Sequence, residues 1–195
     1  MADDLLAVPL GEVLDTLAGE GPAPGGGTAA AIVVAMAAGL VTMVAKASKE
    51  HWDEAGGVIG QAETFRARVA PLAQADSEAY TEALGALRNR DQVEARYRDQ
   101  KLEAALERAA EIPIRITEAG SDLASLAALL VEHGNPEVRV DAAAAAVLAE
   151  AGARAAAKLV EINLGATDED PRVRHVHALV EVAQEAAQRA LAAAQ

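Results

Sequence analysis

The feature that most limits the fold of this chain is an uncharged stretch, rich in alanine and glycine, from Gly21 to Ala45. Alanine is the best helix former, and its small side chain lets packed helices approach closely. The segment from Thr28 to about Ser48 is predicted to be one helix buried nearly all round, since a half-exposed helix would carry a polar stripe. The stretch is long enough to cross a membrane, but its prolines, glycines and alanines favour a buried central helix instead.

The remaining segments also have helical spacing of apolar residues. Further helical segments are predicted at Leu10–Ala18, Glu54–Leu87, Asp91–Ala110, Pro113–Asn135, Val138–Leu164 and Arg172–Ala194. Pro71 is expected to kink or break the second of these, and Pro113 to begin a new one. The cluster Asp168-Glu-Asp170-Pro171 is expected to cap the last helix. No segment alternates with period two, so no sheet is predicted.

These patterns predict an all-α fold in which residues 1–195 form a single domain. The expected architecture is a bundle of about six to eight helices around the buried Ala/Gly-rich helix. Only 2% of the residues are aromatic, and the alanine-rich helices supply few large side chains for an isolated core. Burial against a second copy would supply the missing apolar surface, so we expect a homodimer.

Charge and cysteine content narrow the classes of partner. The formal net charge is −13, which argues against binding nucleic acid, where a basic surface is expected. The chain has no cysteine, so disulfides and thiolate metal sites are excluded. The acidic start MADDLLAVPL is unlike a secretory signal. A cytoplasmic protein with no membrane partner is expected.

The segment EGPAPGGGTAAA, Glu20–Ala31, is the most unusual local motif. It lacks the Gly-Lys-Ser/Thr ending of a P-loop and follows a predicted helix rather than a strand, so nucleotide triphosphate binding is not expected. Gly25, Gly26 and Gly27 leave backbone N–H groups open where the Thr28 helix begins, which favours an anion. A glycine corner that permits tight helix crossing explains the pattern equally well.

Two carboxylates are candidates for proton transfer. Asp76 shares a helix face with Tyr80, four residues later. Asp141 opens the apolar run DAAAAAVLAEAG. Carboxylates in apolar surroundings can have raised pKa values, which suits acid–base work near neutrality. For Asp141, the alternative is an early-turn acid that complements the helix dipole.

Other polar residues support weaker hypotheses. Asn135 and Asn163 are each compatible with a turn or helix end. Lys46 and Lys49 end the charge-free helix and are the basic residues nearest in sequence to the glycine corner. The four histidines do not form a ligand set of zinc-site spacing, so no metal is predicted.

An ordered set of motifs resembles the cyclodeaminase/cyclohydrolase family of folate enzymes. The most specific piece, Pro22-Ala-Pro24-Gly-Gly-Gly27-Thr28-Ala-Ala-Ala31, is similar to the family's P-x-P-G-G-G-S/T-A-A signature. It is followed by Met43-Val44, Asp76, Ala79-Tyr80, Ile112-Pro113, Gly134-Asn135, Asp141-Ala142 and Ile162-Asn163-Leu164. The resemblance extends from about Leu10 to Asp170.

The resemblance implies an all-helical homodimer that acts on a tetrahydrofolate derivative in one-carbon metabolism, without a metal. The expected reaction is hydrolysis of 5,10-methenyltetrahydrofolate to 10-formyltetrahydrofolate, preferred because no formimino-transferring domain is present in this chain. The alternative is a formiminotetrahydrofolate cyclodeaminase, a lyase that releases ammonia. A second alternative is a non-catalytic helical dimer that binds another small anion or a protein partner.

The resemblance also implies roles for individual residues. Asp76 is the first choice for proton transfer and Asp141 the second, while Asn135 and Asn163 would contact the pterin. The anionic glutamate tail would be held by the helix start, comprising Pro24, Gly25, Gly26, Gly27 and Thr28, and by Lys46 or Lys49. The chain departs from the family pattern in Lys46–Trp52, in Leu87–Arg90 and at Val140.

Overall fold

A computed structural model describes residues 5–21, 24–88, 95–165 and 169–194, with the backbone alone for 86–88 and 95–103. Within these ranges there are seven α-helices and one 3₁₀ turn, and no strand. The helices are α1 (Leu10–Leu17), α2 (Gly26–Ala47), α3 (Ala55–Val69), α4 (Leu72–Arg88), α5 (Ala95–His133), α6 (Arg139–Leu164) and α7 (Pro171–Ala193), with the 3₁₀ turn at Pro136–Val138. The prediction of an all-α fold is confirmed.

Helix α2 packs against α3, α4, α5 and α6. Gly152 of α6 lies so close to α2 that a Cβ atom there would be 2.5 Å from Val34 Cγ2 and 3.3 Å from the Ala30 carbonyl oxygen. The two helices run in opposite directions, because the start of α6 lies near the end of α2. Small residues therefore set the close approach of these helices. By length and composition α2 could cross a membrane, but more than half of its most apolar window is buried in the fold.

One face of α2 is open, which differs from the predicted burial nearly all round. Met36 and Met43 are 55% and 40% exposed, and Leu40 between them is partly exposed. On the neighbouring α6, Val140, Ala144 and Ile162 are exposed at helical spacing. We call these six residues the α2/α6 face. The sequence showed no polar stripe on α2 because this face is apolar as well.

Two prolines behave differently. Pro71 lies between the end of α3 and the start of α4, as predicted. Pro113, in contrast, lies inside the continuous helix α5, so the predicted boundary there is wrong. A proline in a helix leaves the carbonyl four residues earlier without its N–H partner. That carbonyl, of Ala109, accepts a hydrogen bond from Asn163 Nδ2 at 2.9 Å, which compensates for part of the cost.

The helix ends agree with the predicted caps where they are described. Asp170 caps α7 by accepting a hydrogen bond from the Arg172 backbone N–H at 2.8 Å. Asp168, the first residue of the predicted cap cluster, lies outside the described residues. The predicted helix Asp91–Ala110 is described only from Ala95, where α5 begins.

Candidate active site

The start of α2 opens into a cavity of about 280 Å³ where α2, α4, α5 and α6 meet. Its described lining consists of Gly25, Gly26, Gly27, Asp76, Ala79, Tyr80, Ala109, Leu159, Ile162 and Asn163. Asp76 is the one formally charged side chain in this lining. The cavity therefore combines a single carboxylate with apolar walls and one amide, the composition expected of a small-molecule site.

Gly27 gives Asp76 its place in the cavity. A Cβ atom on Gly27 would lie 2.1 Å from Asp76 Oδ1 and 2.5 Å from its carboxyl carbon, closer than any real contact. The carboxylate therefore lies directly against the first turn of α2, where backbone N–H groups and the helix dipole favour a negative charge. The anion at this helix start is a side chain of the protein itself. Gly27 provides the space for this side chain, and the Thr28 backbone N–H is a donor to it.

Thr28 holds the same carboxylate from within the core. Its side chain is fully buried, and its Oγ1 lies 3.2 Å from Asp76 Oδ2 and 3.1 Å from the Ala73 carbonyl oxygen. Burial raises the pKa of the Asp76 carboxyl above its usual value, while hydrogen bonds from the Thr28 hydroxyl and backbone N–H lower it. A carboxylate shifted in this direction can exchange protons nearer to neutral pH.

Asn163 faces the same cavity from α6 with a fixed orientation. Its Nδ2 donates to the Ala109 carbonyl, the group that Pro113 leaves without a helical partner. Because that bond requires the amide nitrogen, Oδ1 is left to accept a hydrogen bond from a ligand. Two separate sequence motifs, Ile112-Pro113 and Ile162-Asn163, are thus joined in one contact.

Some lining residues were not among the predicted site residues. Tyr80 is 44% exposed at the cavity, and Ala79 lies beside it on α4. Tyr80 and Ala79 lie four and three residues after Asp76, so their place on the same helix face could have identified them as lining residues. Leu159 and Ala109 carried none, because one is an ordinary apolar residue and the other contributes to the site through its carbonyl oxygen.

The other predicted polar site residues lie at the opposite end of α2 in the same chain. Lys46 pairs with Glu63 at 2.9 Å on the surface, and Lys49 is exposed. Asn135 caps the 3₁₀ turn by accepting from the Glu137 backbone N–H, and its Nδ2 donates to the Ala47 carbonyl at 3.2 Å. With 22 residues, α2 separates these groups from the cavity by about 33 Å.

Asp141 also lies outside the cavity of its own chain. It is exposed in the first turn of α6, the position in which an acid complements the helix dipole. Pro24 lies in the bend just before α2 and is not part of the described lining, while Pro22 and Ala23 are outside the described residues. Within one chain the structure therefore brings together Gly25–Gly27, Asp76 and Asn163, with Thr28 behind the carboxylate.

No group of three or more His, Asp or Glu side chains that could hold a metal ion occurs in the described part of the chain.

The described part of the chain is all-helical, and its cavity has one part-buried carboxylate beneath a glycine-rich helix start. The family model described as Formiminotransferase-cyclodeaminase matches residues 9–192. The chain belongs to this family.

Two relatives make the comparison more specific. The chain is 34% identical over 165 residues to the methenyltetrahydrofolate cyclohydrolase of Methylorubrum extorquens, covering 80% of this chain and 79% of that protein. Its fold matches the crystal structure of formiminotetrahydrofolate cyclodeaminase from Thermotoga maritima with a TM-score of 0.82. That match has 27% sequence identity and covers 96% of both chains. The resemblance inferred from the ordered motifs is confirmed.

Proposed function

We propose that this protein hydrolyses 5,10-methenyltetrahydrofolate to 10-formyltetrahydrofolate. The observation that carries this proposal is the Asp76 carboxylate, held against the start of α2 in an apolar cavity with its pKa raised by burial. The reaction needs one group that accepts a proton from water and can return it to a nitrogen. The 34% identity to a protein named as this cyclohydrolase supports the choice of substrate.

The chemistry needs few groups. Ionised Asp76 takes a proton from a water molecule as the water oxygen bonds to the methenyl carbon. When the C–N5 bond of the resulting hydroxyl adduct breaks, N5 takes the proton held by Asp76, the hydroxyl oxygen becomes the formyl oxygen on N10, and the hydroxyl proton passes to the freed Asp76 carboxylate, which releases it to solvent. From water and the substrate with its cationic methenyl ring, the net products are 10-formyltetrahydrofolate, uncharged at N5 and N10, and one proton. Asp76 can serve in both proton transfers because it touches the cavity directly.

Asn163 and Tyr80 provide the proposed contacts to the pterin. The free Oδ1 of Asn163 would accept an N–H of the ring, since its Nδ2 is used by Ala109. The ring of Tyr80 lies at the same cavity and would cover a face of the planar pterin. Both residues are within reach of a substrate whose one-carbon unit lies over Asp76.

We also propose that the active protein is a homodimer formed through the α2/α6 face. Isolated exposed apolar residues are ordinary, but here two helices that pack against each other, α2 and α6, each leave several apolar residues fully or partly exposed. The cavity of one chain, about 280 Å³, lies just below the range of roughly 300–1,000 Å³ that is usual for ligand sites. A second copy against this face would deepen it.

A two-fold arrangement would bring the predicted site residues together. In an isologous contact, two α2 helices that cross near Met36 and Leu40 in opposite directions place the end of one helix over the start of the other. Lys46 and Lys49 of one protomer would then lie near Gly25–Gly27 of its partner. In this arrangement the lysines can bind the anionic glutamate tail, and the Asn135 and Asp141 end of the molecule lies near the second protomer's cavity.

The second candidate activity is that of a formiminotetrahydrofolate cyclodeaminase, favoured by the match to the Thermotoga maritima structure. In that reaction N10 attacks the formimino carbon, Asp76 takes the N10 proton, and ammonia leaves after protonation. The alternative of a non-catalytic dimer that binds another anion or a protein partner predicts no turnover.

We propose that the reaction takes place in the cytoplasm. Its substrate is the folate, and no metal takes part in it.

The test is the absorbance decay of 5,10-methenyltetrahydrofolate with purified protein, compared with the spontaneous rate in buffer. A parallel reaction contains 5-formiminotetrahydrofolate and a coupled assay for ammonia. Cyclohydrolase activity predicts faster methenyl decay without a requirement for a formimino donor. Ammonia release with no accelerated decay would transfer the assignment to the cyclodeaminase, and no turnover with either substrate would contradict both.

Calorimetry with a non-hydrolysable reduced folate distinguishes the proposed enzyme from the non-catalytic dimer. An absence of both folate binding and turnover would support the non-catalytic dimer that binds another anion or a protein partner, whereas the proposed enzyme binds the folate and turns it over. Light scattering at micromolar concentration tests the dimer, and a monomeric mass in an active sample would contradict it.

A further inference from the structure

We infer that Thr28 is a positioning residue that serves both protonation states of Asp76, rather than a substrate contact. This inference rests on the proposed function of Asp76 as a proton acceptor and donor. The Thr28 side chain has no exposed surface, so a ligand in the cavity does not reach it. Its only hydrogen-bond partners in the described structure are the Asp76 carboxylate and the Ala73 carbonyl oxygen.

The geometry offers the hydroxyl two acceptors but only one proton. Thr28 Oγ1 lies 3.2 Å from Asp76 Oδ2 and 3.1 Å from the Ala73 carbonyl oxygen. A hydroxyl group donates one hydrogen bond and accepts up to two. At any moment it can therefore donate to one of these two oxygens and not to both.

Each of these two hydrogen-bonding arrangements fits one protonation state of Asp76. When Asp76 is ionised, the Thr28 hydroxyl donates to Oδ2 and joins the Thr28 backbone N–H in stabilising the charge. When Asp76 is protonated, its own O–H can donate to Thr28 Oγ1, and the threonine proton turns to the Ala73 carbonyl oxygen. Only a hydrogen atom moves between the two states. The carboxyl group therefore stays in the same position through the reaction cycle.

Among the described residues, Thr28 is the one whose side chain hydrogen-bonds to Asp76. The described residues that line the cavity together with Asp76 are Gly25–Gly27 of α2, Ala79 and Tyr80 of α4, Ala109 of α5, and Leu159, Ile162 and Asn163 of α6. None of them carries a formal charge, and Tyr80 is the one other titratable group. No ion pair is thus available here to hold the carboxylate or to set its protonation.

The test replaces the hydroxyl without changing the shape of the side chain. Thr28→Val removes a donor to the charged carboxylate and an acceptor for its neutral form. Hydrogen bonds to charged groups are stronger than those between neutral groups, so the ionised form loses more. The pKa of Asp76 is expected to rise in Thr28→Val, whereas Thr28→Ser keeps the hydroxyl and should titrate nearly as the parent protein does.

The first readout needs no folate. Protein labelled with ¹³C at aspartate carboxyl carbons is titrated by NMR, and the Asp76 signal is identified by its loss in Asp76→Asn. Thr42→Val is the matched control, because Thr42 is a buried threonine of the same helix that bonds only to the Ala38 carbonyl oxygen. An Asp76 titration that moves upward in Thr28→Val, but not in Thr42→Val or Thr28→Ser, supports the inference.

The second readout is the pH dependence of methenyltetrahydrofolate hydrolysis. Thr28→Val should lower kcat about five- to tenfold on the acid limb and return to within about twofold of the parent rate at alkaline pH. Serine should rescue the acid limb. Should Thr28→Val not fold, Thr28→Ala with Thr28→Ser provides the same comparison.

The outcomes separate this inference from the proposed function. An Asp76 titration that is unchanged or lowered by loss of the hydroxyl overturns the positioning role, even in an active enzyme. Absence of any folate turnover refutes the proposed function, while the NMR titration still decides whether Thr28 controls Asp76. A uniform loss of kcat at all pH values, with an unchanged titration, would contradict the role as well.

Discussion

The two ends of helix α2 contain similar small polar residues but are built for different purposes. At its start, Gly27 and Thr28 hold the carboxylate of another helix beside an open cavity. At its end, the buried Ser48 hydroxyl donates to the Val44 carbonyl oxygen and accepts from the Asn135 backbone N–H. The first end leaves a titratable group facing space that a ligand can fill. The second end uses its polar atoms to connect helices.

The difference shows that a polar residue can contact a ligand only where part of its hydrogen-bonding capacity is left open toward a cavity. Asn163 has one amide atom committed and the other free at the cavity. Asn135 uses its Oδ1 for the Glu137 N–H and its Nδ2 for the Ala47 carbonyl oxygen. From the sequence the two asparagines were equal candidates. Their contacts make Asn163 the better candidate within one chain.

The largest effect is expected from Gly27→Ala. Its methyl group would need the space of Asp76 Oδ1, so the carboxylate must leave its site. We expect kcat to fall by about 10²-fold or more, the scale of losing a general base. Gly57→Ala is the control, because a Cβ atom there meets nothing within 4 Å. Near-normal turnover of folded Gly27→Ala would show that the position of Asp76 is not critical.

Subunit mixing tests whether the two ends of α2 meet across a dimer. Asp76→Asn and the double variant Lys46→Gln, Lys49→Gln should each be impaired with a polyglutamylated substrate. The co-expressed mixture should regain about a quarter of the normal activity, because about half of its dimers are heterodimers and each of these has one of its two sites intact. Matched measurements on each variant alone give the baseline. No recovery above that baseline would contradict a site that is shared between the two protomers.

A smaller effect, confined to stability, is expected at the closed end of the helix. Ser48→Ala removes the acceptor of the Asn135 backbone N–H and should cost about 1–3 kcal/mol of unfolding free energy. Its kcat should stay within about twofold of the parent value. Ser125→Ala is the comparison, since Ser125 bonds only within its own helix, to the Ser121 carbonyl oxygen. A large loss of kcat in stable Ser48→Ala would mean that this end takes part in the chemistry.

The smallest effect concerns the pH dependence of stability at the open end. Because burial raises the pKa of Asp76, ionising it destabilises the folded state as pH rises through the folded pKa. Asp76→Asn should therefore be at least as stable as the parent protein at neutral pH, and the difference should vanish at pH values below the ordinary carboxyl range. Thermal unfolding from acid to neutral pH measures this. If Asp76→Asn is less stable than the parent protein at neutral pH, and this difference disappears at acid pH, the expected direction of the effect is contradicted.

Much of this molecule could be predicted from local sequence patterns. Helical periodicity, the break at Pro71 and the cap before α7 depend on neighbouring residues, so the pattern was sufficient. The continuous path of α5 through Pro113 was not predictable, because it depends on Asn163, fifty residues later, as the donor to the Ala109 carbonyl. Such compensation is tertiary and leaves no local signal.

The site was only partly predictable, because its contacts also join residues that lie far apart in the sequence. Asp76 and the glycines belong to quoted motifs, but their contact joins residues 49 positions apart and became evident only from the missing space at Gly27. Lys46, Lys49, Asn135 and Asp141 were grouped with them because sequence order does not reveal that a 22-residue helix separates its two ends. Whether a second protomer closes that distance depends on an interface that a single sequence pattern does not describe.

The central claim is that the Asp76 carboxylate performs proton transfer on a folate. The most direct measurement is the decay of 5,10-methenyltetrahydrofolate absorbance with Asp76→Asn, beside the parent protein and Asp122→Asn. Asp122 is the matched carboxylate, since burial also raises its pKa but it lines a different cavity, with Phe65 and Arg115. This role predicts that Asp76→Asn falls to the buffer rate, while Asp122→Asn stays within about twofold of the parent rate. Parent-like turnover by folded Asp76→Asn would contradict it.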